Sequence, residues 1–156
     1  MIEFNFKGIS VSATVEMERY DYRDNGGHYK TRFNRNTLVK ASFWGFAIDN
    51  DLYELATVKS SLNYFMQAYW KRSSKAGSKI DLVTVLKRNN GGNPQALYLV
   101  ARQKDGIHSL EISLVEKGAP TGKIYLNGQE VIMLDIAIGK AINLLTPDYN
   151  INEGNI

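Results

Sequence analysis

Two stretches of this chain turn on Asn-Gly-Gly. The first is "RYDYRDNGGHYKTRFNR", from Arg19 to Arg35, and the second is "VLKRNNGGNPQALYLVAR", from Val85 to Arg102. Asn and Gly adopt positive φ cheaply, so each stretch reverses an extended chain within a few residues. The flanking residues alternate. Ile9, Val11, Ala13, Val15 and Met17 recur at every second position, the period of a half-buried strand. Long alternating runs joined by tight turns restrict the chain to antiparallel hairpins.

The same reading extends to the rest of the sequence. "IEFNF" and "ISVSATVEMERYDYR" are strands parted at Gly8, and "HYKTRFNRN" returns from the first turn. "LVKASFWGFAI" reads as one further strand. Val39, Ala41 and Phe43 face one way; Lys40, Ser42 and Trp44 face the other, with Phe46 and Ile48. The period then becomes helical. Leu52, Leu55, Ala56, Leu62, Phe65, Met66 and Tyr69 form a stripe, with Asp49, Asn50 or Asp51 as the cap and Ser60 as an alternative second start. "KRSSKAGSK" is a polar, basic loop, whose cations Lys71, Arg72, Lys75 and Lys79 read as a mobile phosphate clamp or as solubility.

Strands resume with "IDLVTVLKR", "QALYLVARQ" and "IHSLEISLVE", turning at "NNGGNP" and Asp105-Gly106. Pro94 confines its surroundings to a loop or an edge. "KGAPTG" reads as a loop, and "KIYL" and "QEVIML" as a third tight hairpin about Asn127-Gly128. "DIAIGKAINLLTP" reads as a short helix capped by Asp135, lined by Ile138, Ile142 and Leu145, and stopped by Pro147. The expected fold is α+β, with antiparallel curved sheets covered by helices in a ββββα layout repeated twice. Residues 1–147 make one domain, and 148–156 are a flexible tail.

With 156 residues the chain is long enough for one substantial core. There is no cysteine, which removes disulfides and thiolate chemistry, and no apolar run long enough to span a bilayer. The first residues lack the layout of a signal peptide, so a cytoplasmic location is expected. The two histidines, His28 and His108, both lie at turns, and no G-x-S-x-G, Walker A or G-x-G-x-x-G motif occurs. Glu16, Glu18 and Asp24 alternate onto one face, which suits a cation or charge balance for Arg19 and Arg23. The chain is therefore expected not to be an enzyme and to use no cofactor or metal.

Charge points instead to a binding protein. Residues 19–44 carry +4 and residues 71–104 carry +7, so these two stretches hold fourteen of the nineteen cations and the remainder sums to −8. Rings accompany the cations, as sequence-tolerant binding of an unpaired strand requires. The first ribbon offers Arg19, Tyr20, Tyr22, Arg23, Lys30, Arg32, Phe33 and Arg35, with Lys40 and Trp44 following it. In the second, Lys87 and Arg88 flank the turn, Tyr98 and Arg102 share a face opposite Leu97 and Leu99, and Lys104 follows. Hairpin register decides the faces. A three-residue connection Asn25-Gly26-Gly27 sets Arg23 opposite Tyr29, Tyr22 opposite Lys30 and Tyr20 opposite Arg32. A two-residue turn sets Tyr22 opposite Tyr29 and pairs the cations with Asp21 and Arg19. The sequence leaves both open, as it leaves Tyr20, Tyr22 and Trp44 between base stacking and packing.

Four antiparallel strands then a helix, with long basic and aromatic hairpins, resembles the Whirly and positive-cofactor-four single-stranded-DNA-binding superfamily. The double layout is most similar to Whirly, and the last strand running into an apolar helix, "KIYLNGQEVIMLDIAIGKAINLL", is a local likeness. The style of the chain resembles a bacteriophage-encoded member, which would place it in a host cytoplasm. The resemblance implies a curved sheet that channels single-stranded DNA, helices on the other side, and association of subunits through them. It also implies work in replication, recombination or transcription beside other proteins of those processes. A homodimer is expected on other grounds: the stripe of Leu62, Phe65, Met66 and Tyr69 and that of Ile138, Ile142 and Leu145 must cover apolar sheet faces, and any apolar surplus must meet another subunit. An RNA-binding module and a structural or partner-binding β-protein are the alternatives.

Overall fold

Tight turns with positive φ divide both halves of the molecule into meanders. The computed structural model describes residues 2–71, 82–104 and 107–150. The first half runs β1 (Ile2–Phe6), β2 (Ile9–Arg23), β3 (Tyr29–Phe43), β4 (Phe46–Asp49) and α1 (Leu52–Lys71). The second runs β5 (Leu82–Asn90), β6 (Asn93–Lys104), β7 (Ile107–Glu116), β8 (Ala119–Leu126) and α2 (Gly128–Asn150). Each set of strands forms a four-stranded sheet in sequence order, every neighbour antiparallel. The ββββα layout expected from the sequence is thus present twice.

The faces follow the alternation. Ile9, Val11 and Ala13 of β2 pair with Phe43, Ala41 and Val39 of β3, and all six are buried. Leu97, Leu99 and Ala101 of β6 meet Leu114, Ile112 and Leu110 of β7 in the same way. Between the sheets lie the helices. α1 packs on α2 and reaches β5 and β6, whereas α2 lies on β1, β2 and β3 and touches β7 and β8. Each helix therefore covers strands of the other half, and one continuous cluster from Ile9 to Leu145 holds both halves together. Each fully buried Leu, Ile or Phe in it contributes about 1.5–3 kcal/mol. Lys59 donates to Asp135 at 2.8 Å and ties α1 to α2, and the Ser61 hydroxyl donates to Thr84 Oγ1 at 2.6 Å and ties α1 to β5.

Several boundaries differ from the sequence reading. "LVKASFWGFAI" is not one strand: Trp44 and Gly45 have φ of 51° and 89° and fold it back, so Phe43 pairs with Phe46. The reversal resets the alternation, and Phe46 and Ile48 join the core face rather than Trp44's. Lys117 and Gly118, at φ 50° and 77°, turn β7 directly into β8, so "APTG" belongs to a strand, bulged where the register shifts at Leu114/Val115. α1 is continuous past Ser60; Asp51 is its cap, accepting from Glu54 N–H at 2.9 Å, and Ala56 faces solvent.

The largest correction is at Asn127-Gly128. "QEVIML" is helix, not the return strand of a hairpin. Asn127 Oδ1 accepts from Glu130 N–H, and Glu130 Oε1 accepts from Asn127 N–H, both at 3.0 Å. That reciprocal capping box starts α2 seven residues before Asp135, which instead binds Lys59. Pro147 does not stop the helix, whose element extends to Asn150. Carbonyls near this end have other donors: Ile142 O accepts from Thr146 Oγ1 and Leu144 O from Arg35. Of the expected tail, residues 148–150 belong to this element, and 151–156 lie outside the described residues. No helix among the described residues is long and apolar enough to cross a membrane.

Candidate nucleic-acid interface

The long hairpin β2–β3 projects beyond its sheet. β1 pairs with β2 only to Ala13, and β4 pairs with β3 only from Lys40. Beyond those points β2 and β3 form a two-stranded arm whose side chains are mostly exposed. Its register is the three-residue alternative: Arg23 opposes Tyr29, Tyr22 opposes Lys30, and Tyr20 opposes Arg32. Asp24 fixes that choice. Its backbone N–H donates to His28 O at 3.0 Å, and its Oδ1 accepts from the N–H groups of Gly26 and His28.

By alternation Tyr20, Tyr22, Lys30 and Arg32 occupy the open face of the arm, away from the helices, and Lys40 follows on the same face. Tyr20 is 50% and Tyr22 45% exposed, so their rings are available. Arg19, Arg23, Phe33 and Arg35 lie on the opposite face. There the Arg23 guanidinium stacks 4.5 Å from the centroid of Tyr29 and bonds its hydroxyl. Arg19 meets Asp21 at 3.4 Å, and Thr31 also donates to Asp21. Lys30 lies 3.4 Å from Asp24. These carboxylates are thus engaged with nearby cations and hydroxyls.

The open face of the second sheet carries a second set. Lys87, Tyr98 and Arg102 lie there, and the side chain of Lys104, at the end of β6, lies outside the described residues. The sequence reading missed Lys123 and Tyr125 of β8, which share this face while Ile124 and Leu126 enter the core. The signal was the simple alternation in "KIYL". Lys123 Nζ stands 5.6 Å from the Tyr125 ring centroid. At the centre is Glu111, only 6% exposed although it points from the open side of β7. It accepts from Arg102 Nε through Oε2 and from Lys123 Nζ at 2.8 Å through Oε1. Burial pushes its carboxyl up, but hydrogen bonds and charge from Lys123 and Arg102 outweigh it and hold the group below the usual carboxylate range. The same bond, with Tyr125, raises Lys123 above an ordinary lysine.

Three expected contacts are engaged within the fold. The Trp44 ring is wedged between Gly8 and Gly122, where a Cβ on either glycine would overlap it, and so joins the first sheet to β8. Arg88 forks onto Glu54 of α1 at 2.8 and 2.9 Å, bonds the Ala47 carbonyl of β4 and stacks 4.5 Å from the Phe46 centroid. Arg35 donates to Leu144 O at 2.8 Å near the end of α2. The basic segment after α1 lies outside the described residues. A cavity of about 520 Å³ opens beside the β5–β6 turn, lined by Lys87, Pro94, Ala96, Tyr98 and Val115 among others.

No family model matches the chain, and no curated protein matches it. Among solved structures, the crystal structure of WHY1 from Arabidopsis thaliana is similar, over 97% of this chain and 90% of that one, at 11% identity and a TM-score of 0.40.

Proposed function

We propose that this protein binds single-stranded DNA with little regard to sequence, and is a binding protein rather than an enzyme. One observation carries the reading: Tyr20, Tyr22, Lys30 and Arg32 are interleaved in register on one open face of a projecting arm. Exposed rings serve unpaired bases, each stacked base contributing about 1–3 kcal/mol, while duplex bases are already stacked on one another. Cations beside the rings serve the phosphates. Lys87, Tyr98, Arg102, Lys123 and Tyr125 repeat the combination on the second sheet.

The protein acts as a homodimer in the replication, recombination or transcription of DNA, in the cytoplasm of a bacteriophage host. Fluorescence anisotropy with single-stranded DNA, duplex and RNA oligomers across a salt series tests the binding. Single-stranded DNA should bind tightest, with a log–log salt slope near −0.7 per neutralised phosphate. A flat salt response, or a preference for duplex, would sink the proposal. A preference for RNA would transfer the same surface to the RNA-binding alternative, since the 2′-hydroxyl is the group by which a protein tells the two backbones apart.

A further inference from the structure

The cavity beside the β5–β6 turn is the hollow left by one small side chain. Ala96 lies on the open face of β6, directly between Lys87 of β5 and Val115 of β7. Two residues away along the strand on either side, Pro94 and Tyr98 stand on the same face. Four larger side chains thus wall a methyl floor, and about 520 Å³ is left open above it. Strand geometry sets the width: about 13 Å between the Cα atoms of Pro94 and Tyr98, and about 10 Å from β5 to β7. A pocket of that volume lies in the range that takes small ring ligands.

The hollow is formed before any ligand arrives. β6 is hydrogen-bonded on both sides, and Leu86, Leu97 and Leu114 are buried on the other face of the same three strands. The rim is held as well. Lys117 N–H donates to Pro94 O at 3.0 Å, and on the opposite face Gln95 and Asn93 donate to Glu116 at 3.1 and 3.3 Å. The lining is wrong for a phosphate. Pro94, Ala96, Val115 and the Tyr98 ring present carbon, and a phosphate among them would lose water without gaining donors. Lys87 is the one charge among these five residues, and its side chain has no partner among the described residues. That combination suits a flat ring in the hollow and its attached phosphate at the lysine edge.

We propose that this hollow takes one unstacked nucleobase of the bound strand, held over Ala96 between Pro94 and Tyr98, with its phosphate beside Lys87. The pocket rests on the single-strand reading above. It adds a discrete base site on the second sheet, enclosed by walls of the fold and preorganised by it.

Base and phosphate contacts separate when oligothymidine is compared with an abasic strand of the same length, both labelled for anisotropy. The full chain carries Tyr20→Ala and Tyr22→Ala as a background, which removes the stacking of the arm. A preference for oligothymidine over the abasic strand should remain. Ala96→Leu, which fills the floor, should cut that preference by about fivefold or more, one base contact. Affinity for the abasic strand and the salt slope should stay as they were, because no charge is altered. Lys87→Gln should do the reverse and weaken both strands alike.

Ala96→Leu changes only the open face, and its melting temperature checks that it folds. Should it not fold, the wild-type protein gives a second reading. An oligomer carrying 4-thiothymidine, irradiated and digested, should cross-link to Pro94, Tyr98 or Val115 as well as to the arm. Cross-links confined to the arm overturn the pocket and leave the single-strand reading intact. So does an arm background with no preference left, or an Ala96→Leu variant that weakens both strands equally or neither. A wild-type protein that binds no oligonucleotide overturns both.

Discussion

At the scale of single residues, position rather than type separates contacts from struts. Trp44 looks like a stacking platform in sequence, but it sits at φ 51°, where a bulky side chain is strained, with its ring against the backbones of Gly8 and Gly122. That packing is what holds the strained turn. We expect Trp44→Ala to destabilise the fold by about 2 kcal/mol or more, and Gly122→Ala by about 1–3 kcal/mol, because its Cβ would have to displace the ring. Urea unfolding measures both, and the folded variants should retain their affinity for single-stranded DNA. Loss of affinity at unchanged stability would instead make Trp44 a base platform. Arg88 and Arg35 follow the same logic. A guanidinium that binds Glu54, or one that caps Leu144 O, is committed to the fold before any ligand arrives.

At the scale of elements, the arm should be separable from the core. By alternation its open face is turned away from the buried side of the sheet, and the charges there are exposed, so each contributes only about 0–1 kcal/mol to stability. Lys30→Ala combined with Arg32→Ala should weaken single-strand binding by about tenfold and leave the melting temperature nearly unchanged. Tyr20→Ala with Tyr22→Ala should weaken it without changing the salt slope, since rings release no counterions. Arg35 is best left intact in such variants because it also holds α2. An arm variant that unfolds, yet binds normally when folded, would make the arm structural. Element order, core faces and the two Asn-Gly-Gly reversals were legible because alternation and positive φ are local properties. Register in the arm was legible only as a choice, which the Asp24 side chain settles by bonding Gly26 and His28. The Trp44-Gly45 turn was hidden because tryptophan rarely takes positive φ. The start of α2 was misread because Asn-Gly suits a hairpin and a helix cap alike. Glu130, three residues after Asn127, was the deciding and visible sign. Lys123 and Tyr125 needed only their alternation, but Glu111 needed three dimensions, since its partners come from two different strands.

At the scale of the whole molecule, apolar surface remains after the core is complete. On α2, Met133 and Ile136 are 59% and 51% exposed and lie on one stripe with Gln129, Lys140 and Asn143. α1 presents Tyr53 at 80% and Tyr64 at 41%. The stripe on α2 faces away from the sheets, so it leaves the open sheet faces clear for a ligand. A two-fold pairing through the helix layer would bury this stripe against itself and keep both arms free. It would also put two arms on one particle, and linked sites raise avidity without any new contact. Light scattering should therefore give twice the 17.6 kDa chain mass at micromolar concentration. Met133→Glu with Ile136→Glu should yield a folded monomer, because both side chains are outside the core and repulsion acts only across the pairing. That monomer should retain the intrinsic contacts of one arm yet bind long single strands more weakly than the dimer, with little difference on strands too short to reach both arms. A wild-type protein with the mass of one chain would refute the pairing. A double variant that stays dimeric would move it from the helices to the exposed inner side of the arm, where Met17 and Phe33 are 60% and 61% exposed.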